Sequence, residues 1–144
     1  MKITNKKAFF DYEIVDRLEA GINLLGAEVK AVRLGHADLS GSFIKVIGSE
    51  AYLVNGKIFP YEYGRPENYE ETRTRKLLLH RKEILALKSK ADGEKMTLVP
   101  LSIYESHHFI KVEIGIGKGK KEYDKKKAAK KRDLNRQIEE EMAS

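Results

Sequence analysis

Between residues 12 and 117 the apolar residues of this chain recur largely at every second position, and beyond Gly117 they become sparse. That alternation restricts the fold more than any other feature of the sequence. Tyr12, Ile14, Leu18, Ala20, Ile22 and Leu24 share one parity, broken only at Asp16, while Asp11, Glu13, Arg17, Glu19 and Asn23 hold the other. Period two with one polar side predicts a half-buried strand. The same pattern closes the foldable region in "HFIKVEIGIG": Ile110, Val112, Ile114 and Ile116 point one way, and Lys111 and Glu113 the other. Between these limits, "SFIKVIGSEAYLVNGKIF" predicts two strands about a turn at Gly48-Ser49, and "RTRKLLL" and "KMTLVPLSIYE" predict one each. Pro100 lacks an N–H and belongs at an edge or bulge. "AEVKAVRLG" predicts a short helix stopped by Gly35, and "HRKEILALKSKADG" a second, with Ile84 and Leu87 on one face and an end at Asp92-Gly93. "PYEYGRPENYEET" reads as a loop.

About six strands and two short helices, all before residue 117, predict a mainly β fold: a small OB-like antiparallel barrel. A ferredoxin-like sandwich fits less well, because its crossovers need longer helices. No internal repeats are present. The expected organisation is a barrel over residues 1–117 and a basic C-terminal tail over 118–144.

Charge follows the same boundary. Residues 118–136 hold ten Lys/Arg against three Asp/Glu, a net +7, whereas the whole chain is only +6. The rest is close to neutral, so the basic segment points to a polyanion partner. Its Lys, Ala, Arg and Glu are good helix formers, and Leu134, Ile138 and Met142 recur every fourth residue. Self-repulsion opposes a free helix, so the tail is expected to be disordered alone and helical on a polyanion. With no cysteine, the chain has no disulfide framework, thiolate metal site or thiol nucleophile. Its apolar runs fall far short of the roughly 20 residues of a membrane span, and "MKITNKKAFFDYE" lacks a signal-peptide core. A cytoplasmic protein without membrane contact is expected.

No catalytic set assembles from the sequence. His107-His108 falls in a predicted hairpin turn, His36 follows a helix-ending glycine and His80 precedes a helix, with no spacing that offers a metal two ligands from one element. Glu70-Glu71 lies in a loop and Glu139 to Glu141 in the tail, where nothing buries them to raise a pKa. Ser40, Ser42 and Ser49 lack a nucleophile elbow. "GIGKGKK" is Gly-rich and follows a strand, yet no Ser or Thr completes a phosphate-binding loop. The reading is a non-enzyme without metal, cofactor or small-molecule substrate. Two stretches suit RNA instead. "RTRKLLLHRK" sets Arg73, Arg75, Lys76, Arg81 and Lys82 about an apolar triplet, and "NKKAFFDY" sets Lys6 and Lys7 beside Phe9 and Phe10. Their plain alternatives are a solvated strand end and a strand entering the core.

Taken together, "DYEI", "EAGI.L.G.EVK..R.G", "RTRKLLLH..E", "TLVPL.IY" and "KVEIG...GKK.YDKK" resemble the SsrA-binding protein family, also called SmpB, in order from about Asn5 to Arg132. The resemblance implies an OB-like barrel that binds the tRNA-like domain of transfer-messenger RNA and delivers it to stalled ribosomes for trans-translation. It implies RNA-binding roles for Glu19, Leu78 and Lys111 and for Gly119, Lys120 and Lys121, and parity independently puts Glu19 and Lys111 on outward faces. Lys6, Lys7, Lys30, Arg33, Arg75 and Lys76 complete the expected RNA-contacting set. The resemblance further implies that Tyr123 engages the decoding centre, within a ribosome-binding tail that includes Asp124, Lys125, Lys126, Lys130, Lys131 and Arg132 and reaches the empty mRNA channel. Lys126 stands where the family has Arg, which keeps the charge but loses bidentate phosphate geometry. The alternatives are a general RNA-binding or ribosomal OB-fold protein, and a partner module whose tail binds acidic protein.

Overall fold

The alternation that begins at Tyr12 becomes one long strand, β2 (Tyr12–Ile22), which buries Ala20 and Ile22 and exposes Glu13, Arg17 and Glu19. Its break at Asp16 is a β-bulge: pairing with β9 (Phe109–Gly119) shifts between Ile14 and Asp16. Val15 is the extra residue and is exposed. A bulge of this kind resets side-chain parity, which explains how an acidic residue interrupts the apolar row without ending the strand. The structure is a computed structural model and describes residues 1–61 and 67–120.

β9 also pairs with β8 (Thr97–Ser106) through a two-residue turn. Both turn residues, His107 and His108, have positive φ (51° and 68°), the requirement of a tight hairpin that matches strand twist. The β8–β9 register shifts between Pro100 and Ser102, so the proline occupies a bulge as its chemistry demands. On the other side of β2 lies β7 (Arg75–Leu78), followed by β5 (Glu50–Val54) and β4 (Phe43–Ile47); the last two turn about Gly48. β1 (Lys2–Thr4) adds to β8. The resulting antiparallel order is β1-β8-β9-β2-β7-β5-β4, and β3 (Ala37–Asp38) with β6 (Lys57–Ile58) forms a separate two-stranded pair. The long sheet curls until β4 packs against β8, with no ladder between them among the described residues. The architecture is OB-like. Ala20, Ile22, Leu53, Leu77, Ile103, Val112 and Ile114 fill its interior.

Both expected helices form. α2 (Gly26–Arg33) ends against Gly35, whose φ of 79° suits glycine. α3 (Arg81–Lys88) buries Ile84 and Leu87 and runs into one π-helical turn, Ser89–Gly93. A third helix occupies "NKKAFFDY", in place of the plain alternative of a strand entering the core. α1 (Lys6–Asp11) is capped by buried Asn5, whose Oδ1 accepts from the Ala8 N–H at 3.3 Å. The same side chain donates to the Leu39 and Pro100 carbonyls at 3.1 and 2.8 Å, and Ala8 packs on Val99 and Leu101. One and a half turns are too short to display a helical period. β9 also continues two residues beyond the expected end at Gly117, because Gly119 still pairs with Tyr12. Gly117 itself tolerates no side chain: a Cβ there would lie 2.6 Å from the Glu13 carbonyl oxygen.

Candidate nucleic-acid interface

At Gly21, strand β2 has Lys111 of β9 as register partner on one side and Leu78 of β7 on the other. Lys111 in turn faces Tyr104 of β8, and Tyr104 faces Lys2 of β1. Directly opposed residues share a face, so Lys2, Tyr104, Lys111, Gly21 and Leu78 form one outward row across five strands. Leu78 is 54% exposed, and a Cβ at residue 21 would come within 3.1 Å of the Leu78 Cβ. The absent side chain leaves the floor of the row low beside Leu78.

Glu19, two residues earlier on the same face of β2, joins Gly21, Leu78 and Lys111 in lining a cleft of about 830 Å³. Lys76 and Glu50 form its rim, held together at 3.3 Å. The start of α3 makes the other wall with His80, Arg81 and Glu83; there Glu83 accepts from the His80 backbone N–H at 2.9 Å, which anchors the helix. Basic, acidic and exposed aliphatic groups thus converge on one concavity. Cations suit phosphate, a carboxylate suits a base or ribose donor, and Leu78 offers an apolar contact to a base or sugar.

A polar network stiffens this face. The Tyr104 hydroxyl donates to Oε2 of Glu19, and the Lys2 ammonium lies 5.9 Å from the Tyr104 ring. Burial, reinforced by the hydrogen bond to Glu19, pushes the Tyr104 hydroxyl above the ordinary phenol range. Glu113 lies opposite Glu19 and is bridged by Arg17 at 3.0 Å. The Lys111 ammonium sits 5.8 Å from the ring of exposed Phe109.

Arg75 does not belong to this surface. Its residues alternate Arg75 and Leu77 inward, Lys76 and Leu78 outward, and Arg75 is 0% exposed. Its Nε donates to Glu28 at 2.8 Å, and its other nitrogens reach the Gly56 and Glu71 carbonyls at 2.7 and 2.9 Å. A guanidinium so enclosed cannot touch an RNA phosphate, so the expected contact is corrected to a structural ion pair. Glu28 also receives Arg73 at 2.5 Å and the Tyr69 hydroxyl. Burial opposes ionisation of Glu28, but the Leu25 N–H and the two guanidiniums outweigh it and hold its pKa below the usual carboxylate range. The strand parity of "RTRKLLL" carried this information, since Arg75 shares a side with Leu77.

The remaining expected contacts lie apart from the cleft. Lys6 and Lys7 are exposed on α1, where Lys7 pairs with Asp11 at 3.6 Å. Lys120 donates to the Phe9 carbonyl at 2.9 Å, close to Gly119 at the end of β9. On α2, Lys30 lies 5.5 Å from the Tyr61 ring and Arg33 bonds Glu105 at 3.0 Å. Lys121, Tyr123, Asp124, Lys125, Lys126, Lys130, Lys131 and Arg132 lie outside the described residues, as does the expected helical tail. Gly21 and Tyr104 are the additions that sequence reading missed. "EAG" marked a glycine inside a strand, a signal of close approach, whereas Tyr104 required knowledge of the register. Among the described residues no group of three His, Asp or Glu could hold a metal ion, and no helix is long and apolar enough to cross a membrane.

Comparison with known proteins shows the family. The family model described as SmpB protein matches residues 2–144. The chain is similar to the SsrA-binding protein of Carboxydothermus hydrogenoformans, 46% identical over 138 residues that cover 96% of this chain and 93% of the relative. It is likewise similar to that of Streptococcus suis, 48% identical over 138 residues, 96% of this chain and 89% of the relative. A solved structure described as "tmRNA-SmpB: a journey to the center of the bacterial ribosome" aligns with a TM-score of 0.69 and 44% identity over 82% of this chain and 83% of that chain.

Proposed function

The chain belongs to the SmpB family, and from this premise we propose that it binds the tRNA-like domain of transfer-messenger RNA and carries that RNA to stalled ribosomes for trans-translation. The observation that carries the assignment to a surface is the convergence of Glu19, Leu78 and Lys111 around Gly21. These three residues come from strands far apart in sequence, and no packing requirement explains an exposed leucine there. Lys111 and Lys76 attract the backbone, Leu78 packs on a base or sugar, and Glu19 rejects phosphate while accepting from a neutral donor. The barrel does this as a binding module rather than a catalyst. Its basic continuation, from residue 118 onward, reaches the decoding centre and the empty mRNA channel, with Tyr123 and the following Asp124-Lys125-Lys126 at the centre. Lys120, anchored to Phe9, fixes where the tail leaves the barrel. This work takes place in the bacterial cytoplasm.

The test is the identity of the RNA that co-purifies with the full chain from a bacterial lysate. Enrichment of one transfer-messenger RNA over bulk tRNA and ribosomal RNA, lost on Glu19→Ala plus Lys111→Ala, is the expected result. Enrichment of bulk RNA unaffected by those changes would identify a general RNA-binding protein instead.

A further inference from the structure

Glu19 is an acceptor set among cations, and it serves recognition only if an oxygen lone pair points at the ligand. Two features act on its carboxylate. Glu113 lies directly opposite on β9, and like charges facing one another across a ladder drive each other's side chains apart. Each acid has its own partner: Arg17 bridges Glu113, and Tyr104 holds Glu19 through Oε2. Glu19 lines the cleft, and among the described residues nothing donates to its Oε1. Tyr104 itself lines none of the cleft, and its hydroxyl is engaged with Glu19.

We propose that Tyr104 is a positioning residue of the RNA site, holding Oε2 of Glu19 so that Oε1 faces a neutral N–H or O–H donor of the bound RNA. The choice of a hydroxyl as the partner matters. An arginine in its place would neutralise Glu19 and let phosphate approach, whereas a phenol orients the carboxylate and leaves its charge intact. Tyr104 is itself fixed by its place in the row, with Lys111 on one side and Lys2, lying close to its ring, on the other. The donor is either an exocyclic base amine or a ribose 2′-hydroxyl.

The inference rests on the proposed function, and the two fail differently. Affinity of the full chain for the tRNA-like domain of transfer-messenger RNA is measured for wild type, Tyr104→Phe, Glu19→Ala and the double variant. Tyr104→Phe, which keeps the ring, should weaken binding about tenfold, as for loss of a charge-assisted hydrogen bond, with an unchanged salt slope. In the Glu19→Ala background the same change should have no further effect. Full affinity of Tyr104→Phe, or an equal loss with and without Glu19, would overturn the positioning role, because a merely structural contribution persists without the carboxylate. Absence of wild-type binding would overturn the functional reading and this inference with it. The donor is identified by repeating the comparison on modified RNAs. A single 2′-deoxy substitution that erases the Tyr104→Phe penalty assigns a ribose hydroxyl, and an inosine-for-guanosine, purine-for-adenine or pyrimidin-2-one-for-cytosine substitution that erases it assigns a base amine. Persistence of the penalty through both series would overturn the geometry.

Discussion

Lys111 and Leu78 stand on either side of Gly21 on the same outward face, one a partner through β9 and the other through β7. A cation and an exposed aliphatic side chain are therefore separated by a residue that contributes no side chain at all. Any substituent at 21 must share space with Leu78, since even a Cβ lies 3.1 Å from the Leu78 Cβ. Gly21→Val should push Leu78 aside and raise the cleft floor, weakening RNA affinity about tenfold or more, while overpacking costs about 1–3 kcal/mol of stability. Filter binding and urea unfolding on the same preparation separate the two. A loss confined to stability would mean that the row is not a contact surface.

Lys111 and Glu19 should differ under salt. Each lysine–phosphate contact contributes about one unit to the log–log salt slope of binding. Lys111→Ala should lower the slope by that amount. Glu19→Ala should weaken binding with little change in slope, because a carboxylate cannot release counterions from phosphate. Equal slope changes for the two variants, from titrations over a range of KCl, would contradict the division of roles.

The neighbours Arg75 and Lys76 should separate just as sharply in stability. Arg75→Ala leaves buried Glu28 without its inner guanidinium, a change worth about 3–5 kcal/mol. Lys76→Ala, at the exposed rim, should stay within about 0.5 kcal/mol. Denaturant unfolding curves check both. A mild Arg75→Ala would show that Glu28 finds another partner.

Much of this layout is legible in the sequence, and what is not has physical reasons. Period two identifies β2 and β9 because each has one buried and one outward face, and it puts Glu19 and Lys111 outward. Gly35 and Ile84 with Leu87 likewise mark α2 and α3. β1 and α1 escape because three and six residues are too few to show a period, and because the Asn5 cap depends on carbonyls of Leu39 and Pro100 far along the chain. The row itself is a matter of register among five strands, which alternation within each strand does not contain. Leu78 entered through family resemblance, and Tyr104 entered only with the structure.

Glu28 and Tyr104 act on stability at opposite ends of the pH scale. Glu28 has a depressed pKa in the folded chain, so its contribution is full above the unfolded glutamate value of about 4.3 and lost as pH falls through the folded value. Tyr104 has a raised pKa. Its contribution is full below the unfolded phenol value of about 10 and is lost as pH rises above it. Thermal melts of wild type and Tyr104→Phe between about pH 9 and 11 should therefore diverge, the wild type losing stability more steeply. Parallel pH profiles would show that burial and the Glu19 bond together do not hold the phenol neutral.

If RNA binds where Leu78 is exposed, and not simply wherever the surface is apolar, two equally exposed leucines should respond differently to a charge. Leu78 and Leu85 are each 54% exposed, but only Leu78 lines the cleft with Glu19 and Lys111. Leu78→Asp and Leu85→Asp introduce the same charge and remove the same surface. The measurement is the affinity of each variant for the tRNA-like domain of transfer-messenger RNA. Leu78→Asp should lose binding nearly completely and Leu85→Asp should keep wild-type affinity; equal effects of the two, or full binding by Leu78→Asp, would show that RNA does not bind at Leu78.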